Sequence, residues 1–346
     1  MNVSLVIPPS YSSLLTARET ERAIRLIKEF VQQNLAFELN LLRVTAPLFV
    51  AAGTGINDDL NGVERPVSFP VGAMGDQRAE IVQSLAKWKR LALADLGFQP
   101  GEGLYADMNA IRPDETLDNT HSLYVDQWDW ERVLTREDRT LGFLASVVEH
   151  VYSVIARTEK YVAYHYPAIR PILPDRITFL HAEDLQRLYP HLSPRDREYE
   201  VCRRHGAVFV IGIGYPLADG QPHDGRAPDY DDWSTPTDNG RHGLNGDILV
   251  YYPILDCAYE LSSMGIRVDP RSLAVQLELR GATARRELLF HRRLLNDELP
   301  LTIGGGIGQS RLCMFYLRKA HIGEIQAGLW PAEVCARCHQ AGIVLL

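Results

Sequence analysis

The chain has 346 residues, 46% hydrophobic and 23% charged, with 26 Gly and 20 Pro, an ordinary mixture for a globular protein. That composition excludes collagen, disorder and coiled coil. Lys and Arg number 36 against 44 Asp and Glu, a net charge of −8, so the chain as a whole has no attraction for nucleic acid or an anionic membrane.

The longest apolar stretch, Ala207 to Ile213, falls far short of the ~18 residues needed to span a bilayer. The opening residues MNVSLVIPPSYSS lack the charged start, apolar middle and small-residue exit of a signal peptide. Cys202, Cys257, Cys313, Cys335 and Cys338 are an odd, scattered set, as expected of free thiols in a reducing compartment. These features predict a cytoplasmic protein. No repeat or linker divides the chain, so a single domain over residues 1–346 is expected.

In chain order, a capping box at Thr16 and Glu19 starts a first helix carrying Ile24, Ile27, Val31 and Leu35 at helical spacing. LLRVTAPLFV follows, β-rich but interrupted by Pro47, which suits an edge strand or an interface. HSLYVDQWDWE (121–131) alternates, with Val125, Gln127, Asp129 and Glu131 on one face and Tyr124, Asp126, Trp128 and Trp130 on the other. Helices are predicted over about 141–163 and 183–190. Ala207–Ile213 and Asp247–Tyr252 read as buried strands. Asp269-Pro270 caps another helix, holding Leu273, Leu277 and Leu279 and ended by Gly281. A last helix, from about Ala284 to Leu295, precedes a Gly-rich turn. Strands and helices do not alternate regularly, so the expected class is α+β: a mostly antiparallel β-sheet flanked by helices.

Several motifs fail. There is no Gly-x-x-x-x-Gly-Lys-Ser/Thr loop. Gly212 and Gly214 lack the third glycine of a dinucleotide fingerprint, and Tyr215-Pro216 replaces the helix start, so a turn is expected there. Cys335-Ala-Arg-Cys338-His339 matches the haem-attachment spacing, but a surface tail with two chance cysteines is the stronger reading.

Three segments stand out together and in order. Val44-x-x-Pro47-Leu48-Phe49 follows the first helix. Arg112-Pro113-Asp114-Glu115 precedes the strand through Gln127 and Glu131. Gly304-x-Gly306-x-Gly308-x-x-Arg311 comes last, preceded by Glu260-Leu-Ser-Ser-Met-Gly-Ile-Arg267. The series resembles the three signature motifs of class II aminoacyl-tRNA synthetases, especially the aspartate/asparagine/lysine branch. Ser84-Leu-Ala-Lys-Trp-Lys89-Arg90, GEGLYADMNAIRPDE, YVDQWDWERV, Arg226-Ala-Pro-Asp-Tyr-Asp-Asp-Trp233 and Leu244-Asn-Gly-Asp-Ile-Leu-Val250 carry a closer resemblance, to the ammonia-dependent asparagine synthetases (aspartate–ammonia ligases), over about residues 18–332.

That resemblance implies a class II synthetase-like core that joins L-aspartate to free ammonia. ATP is the co-substrate, with Mg²⁺; β-aspartyl-AMP is the intermediate, and AMP and diphosphate are released. It implies a homodimer with the first helix and the Pro47 strand at its interface, and no nucleic-acid or membrane partner. Arg112 is expected to clamp the α-phosphate and Arg311 to brace adenine and phosphate. Glu260 and Asp247 are expected to bind Mg²⁺ and ATP, with Ser263 touching the nucleotide. Ser84, Lys89, Gln127 and Arg267 are candidates for the amino acid, and Asp129 or Asp231 for its α-ammonium. Of Lys87 and Lys89, one is expected in the site, and position in the motif favours Lys89. Asp58 is the candidate for ammonium capture, since a carboxylate attracts ammonium and can accept its proton.

Gln83 and Asp59 depart from the family, which often has His and Asn there; the tail beyond Pro331 has no family counterpart and no assigned role. Guanidinium groups and Mg²⁺ suit a carboxylate attacking a polyanion, because both neutralise developing charge. A tRNA ligase would need an anticodon-binding module, commonly an OB fold, and only about 15 residues precede the first helix. A non-catalytic nucleotide sensor fits poorly with two motif arginines and an acidic metal position. Glutamine is not the expected nitrogen donor, because Asn2 stands where N-terminal-nucleophile amidotransferases have cysteine.

Overall fold

A computed structural model describes residues 5–58, 60 and 64–346. Eight strands form one sheet: β1 (Leu41–Arg43), β5 (Gly103–Ile111), β6 (Tyr124–Val133), β7 (Thr178–His181), β8 (Ala207–Ile211), β9 (Asn245–Tyr252), β10 (Cys257–Ile266) and β11 (Thr302–Gly308). Their order is β1-β5-β6-β11-β10-β9-β8-β7. The interior pairs are antiparallel, and only the two edge pairs, β1/β5 and β7/β8, are parallel. A small antiparallel sheet, β2-β4-β3, comprises Phe49–Ala51, Arg78–Ile81 and Ser68–Pro70. The α+β expectation with a mostly antiparallel sheet holds.

The helices are α1 (Ala17–Leu39), α2 (Ala86–Asp95), α3 (Leu141–His165), α4 (Ala182–Leu188), α5 (Pro194–His205), α6 (Pro270–Leu279), α7 (Leu289–Leu295), α8 (Gln309–Tyr316) and α9 (Ala332–Gln340). The Thr16–Glu19 capping box forms reciprocally, and Ile27, Val31 and Leu35 of α1 are buried, each worth roughly 1.5–3 kcal/mol. They share a core with Leu144, Val148 and Val151 of α3 and with Trp128 and Trp130, which project from one face of β6. The opposite face of β6 presents Gln127, Asp129 and Glu131, so the alternation sorts this strand into a core side and a functional side.

Four expectations are overturned. The glycine run before Arg311 is a central strand, not a turn: β11 pairs with β6 on one side and β10 on the other, and Ile303 and Ile307 anchor it in the core. Residues 284–295 do not form one helix. Leu288 is extended, Leu289 donates its N–H to the Thr54 carbonyl at 3.3 Å, and a 3-10 turn (Thr283–Glu287) is thereby separated from α7. Lys87 and Lys89 are both buried on α2, and Lys89, the one expected in the site, does not line the cleft. The C-terminal residues are no loose tail either, since Val334, Cys338 and Ile343 pack with Leu5 and Ala320, leaving Cys335 exposed. The sequence reading also passed over α2, α5, α8 and α9. No helix among the described residues is long and apolar enough to cross a membrane.

Candidate active site

The functional face of β6, β10 and β11 floors a cleft of about 470 Å³. Register sets its floor: Gln127 lies across from Gly308, Asp129 from Gly306 and Glu131 from Gly304, while Ser263 of β10 flanks Gly306. The β11 glycines make room here. A Cβ on Gly306 would come within 2.5 Å of Gln127 Oε1, and one on Gly304 would overlap the Glu131 carboxylate and stand 2.7 Å from Arg267 Nη2. The small residues therefore accommodate other side chains of the cleft floor, not only a nucleotide.

Asp58, Ser84, Arg112, Gln127, Asp129, Asp231, Glu260, Ser263, Arg267 and Arg311 all line this cleft. Two expected residues do not. Lys89 lies beneath the floor, where its ammonium bonds Asp129 Oδ1 and the carbonyls of Trp130 and Gly305. Asp247 stands behind Arg226, which engages it directly.

Arg112 follows β5 and donates weakly to the Gln83 carbonyl at 3.4 Å, while its buried Nε has no partner. Arg311 comes from α8. Its Nη2 meets His121 Nε2 at 2.9 Å, its Nη1 lies 3.6 Å from Glu260 Oε2, and its guanidinium carbon is 6.0 Å from the Tyr259 ring centre. Burial works against the charge on Arg311, but Glu260, Tyr259, Glu115 and Asp118 together outweigh it and keep the pKa above the usual arginine value. His121, absent from the sequence assignments, also holds Asp118 through Nδ1 at 2.9 Å. Its only sequence signal is a polar residue just ahead of an alternating strand.

The APDYDDWSTP segment is only partly the acidic turn that its composition suggests. Asp232 does make Asx-type bonds, to the N–H groups of Ser234 and Thr235, and also pairs with Arg139. Asp231 instead turns into the cleft against Arg267, with Arg226 3.5 Å away. Asp229 points elsewhere, to Lys87, Arg285 and His291.

Arg267 is committed at the same floor: Nε and Nη2 bond Glu131 at 3.0–3.1 Å. Burial opposes both charges, yet Arg267 and Lys89 hold Glu131 below the usual carboxylate range, and Glu131 with Asp231 holds Arg267 above its own. After these pairings Asp129 Oδ2 and Asp231 Oδ2 remain buried with no hydrogen-bond partner among the described residues, Asp231 Oδ2 lying 3.5 Å from Arg226 Nε. Two such acceptors at the bottom of a cleft suit a ligand bearing several N–H donors.

Asp58 also lines the cleft. Its N–H donates to Asn57 Oδ1 at 3.0 Å and its carbonyl accepts from Gln83 Nε2 at 3.2 Å, tying the 53–58 loop to the β4–α2 junction. Gln83 is thus a positioning residue for that loop. Asp59 lies outside the described residues.

Among the described residues no three His, Cys, Asp or Glu side chains converge as a metal-binding group. Glu260, 43% exposed in its side chain, is the carboxylate available on the Arg311 side, whereas Asp247 is taken by Arg226.

The family described as aspartate-ammonia ligase matches residues 18–342, so the C-terminal segment to residue 342 falls inside the family pattern, against expectation. An aspartate–ammonia ligase of Bacteroides fragilis is 58% identical over 342 residues, 99% of each chain. One from Clostridium perfringens is 54% identical with the same coverage. Among solved structures, the asparaginyl-tRNA synthetase of Pyrococcus horikoshii complexed with asparaginyl-adenylate superposes with a TM-score of 0.66 at 17% identity. The match covers 90% of this chain and 70% of that one and shows the shared class II fold. With the family pattern spanning nearly the whole sequence, the chain belongs to the aspartate–ammonia ligases.

Proposed function

We propose that this chain makes L-asparagine from L-aspartate, free ammonia and ATP, and that the reaction runs in the cleft between Arg112 and Arg311. The observation that carries this reading is their joint lining of one cleft whose floor keeps two carboxylate oxygens without a hydrogen bond among the described residues, on Asp129 and Asp231. Cations in the cleft suit phosphates; the carboxylate acceptors suit the α-ammonium of an amino acid. The family match supports the same substrates.

In the first step an oxygen of aspartate's side-chain carboxylate bonds to the α-phosphorus and the bond to the β-phosphate oxygen breaks, giving β-aspartyl-AMP and diphosphate. Arg112 and Arg311 stabilise the charge that builds on the phosphates. Gln127 and Ser84 orient the substrate carboxyl groups. Lys89 and Arg267 act from below and beside, fixing Asp129, Glu131 and Asp231 by ion pairs. In the second step ammonia attacks the acyl carbon and the carbon–oxygen bond to AMP breaks. Asp58 receives ammonium and takes its proton. Mg²⁺ arriving with ATP would neutralise phosphate charge, bound by phosphate oxygens, water and Glu260, with Ser263 beside the nucleotide. Asp247 acts indirectly, through Arg226.

The reading treats the chain as one catalytic unit working in the cytoplasm as a homodimer. Exposed Phe37, Leu42, Leu48 and Phe49, on or near α1 and the Pro47 segment, support an interface there. The test is direct: purified protein with MgATP, aspartate and ammonium should yield asparagine and AMP in equal amounts, and added tRNA should remain uncharged. Formation of ADP, or of no asparagine, refutes it.

A further inference from the structure

A second cavity, of about 290 Å³, has walls that include Thr54, Glu80, Lys87, Asp229, Leu288 and His291. Among the described residues, Asp58 alone lines both this cavity and the main cleft. Asp229 and His291 are fully buried. Three donors gather on one oxygen of Asp229: Lys87 Nζ at 3.4 Å, Arg285 Nη1 at 3.0 Å and His291 Nε2 at 2.9 Å reach Oδ2. Among the described residues Asp229 Oδ1 has no hydrogen-bond partner, and neither does His291 Nδ1. With Nε2 donating to the carboxylate, Nδ1 of the neutral ring is an acceptor.

A buried carboxylate oxygen left unpaired keeps its full desolvation penalty, so two such acceptors on residues of one cavity point to a small ligand rich in N–H donors. Charge narrows the choice. Asp58, Glu80 and Asp229 are set against Lys87 and Arg285, so these five side chains carry one net negative charge, which favours a cation over an anion. A separate way in also fits the chemistry, because ATP and aspartate fill the main cleft and an acyl-adenylate must be kept from water.

We propose that ammonium enters through this second cavity, held by Asp229 and His291, and is handed to Asp58 at the wall shared with the main cleft. Ammonium gives one proton to Asp58 and becomes ammonia. The nitrogen lone pair then forms the carbon–nitrogen bond as the acyl carbon–oxygen bond breaks, AMP leaves with that electron pair, and the addition product sheds a second proton to give the neutral amide. This inlet rests on the asparagine-forming reading above.

Thr54→Trp and Leu288→Trp each fill the cavity without touching the main cleft, and His291→Leu removes an acceptor. In all three the KM for ammonium should rise tenfold or more. Aspartate-dependent ATP–diphosphate exchange, which needs no ammonium, should stay within twofold of the unmodified protein, as should the KM values for ATP and aspartate. Ammonium KM values unchanged in both tryptophan variants, or exchange lost in step with asparagine formation, overturn the proposal. If the unmodified protein makes no asparagine at all, the underlying reading fails first, which is a distinguishable result.

Discussion

Lys89 and Asp129, forty positions apart, form a fully buried ion pair in which the ammonium occupies Oδ1 and leaves Oδ2 without a partner. Glu131 lies 3.8 Å from the same ammonium, so one lysine compensates two buried carboxylates. Removing one partner of such a group leaves charge buried and unpaired, at a cost of about 3–5 kcal/mol. Lys89→Met should lose that much unfolding free energy and raise the KM for aspartate more than that for ATP. A denaturant midpoint equal to that of the unmodified protein would show that Lys89 is dispensable.

Arg112→Ala should lower turnover by roughly 10²–10³-fold, the scale for losing one preorganised donor to a transition state. Its guanidinium makes only one long bond to the protein, at 3.4 Å, so the fold should survive. Steady-state kinetics with circular dichroism separates the two effects: near-normal kcat would remove Arg112 from the phosphate site.

What the sequence made legible was mostly local. Thr16 and Glu19, or Asp269 with Pro270, sit within one turn of each other, and their caps formed as spacing predicts. The β11 strand was hidden because the glycine run in TIGGGIG outweighs its β-branched Thr302, Ile303 and Ile307 and reads as a turn; its strand character comes from neighbours on both sides and from Ile303 and Ile307 reaching the core. The two lysines of α2 were misjudged for the same reason. Asp229 stands 142 residues from Lys87, and no local pattern announces that a charge will be matched so far along the chain. Resemblance brought Arg112, Arg311 and Glu260 to one cleft, but it could not tell that Asp247 would be screened by Arg226.

Two β11 glycines should respond differently to the same methyl group. On Gly304 it collides with a carboxylate fixed by Arg267 and Thr302, so Gly304→Ala should cost several kcal/mol, on the order of an overpacked core at about 1–3 kcal/mol plus a damaged ion pair. On Gly306 it meets only the amide end of Gln127, which can swing away. Gly306→Ala should fold normally and raise the KM for aspartate. Equal melting temperatures for the two variants would contradict this division.

Asp58→Asn keeps the shape of the loop bonds made by its backbone while removing the carboxylate charge. The ammonium KM should rise well beyond the aspartate KM. Parallel rises in both would mean that the residue shapes the cleft without binding ammonium.

His321 supplies a pH dependence that belongs to folding and not to catalysis. It caps the 3-10 turn Ile322–Glu324, where Nδ1 accepts the Gly323 N–H at 3.0 Å, and its ring stands edge-on to Trp330. Burial pushes its pKa down to about 4, because a protonated ring would be desolvated. An unfolded histidine titrates near ~6.5. The neutral form is therefore favoured by folding: its contribution is complete above that value and is lost as pH falls from about 6.5 towards 4. At 1.36 kcal/mol per pKa unit the full effect is roughly 3 kcal/mol. Urea midpoints measured between pH 7 and pH 4 should fall steeply for the unmodified protein and more gently for His321→Asn, which keeps a cap acceptor but does not titrate. Superimposable pH profiles for the two proteins would assign the acid sensitivity to other groups.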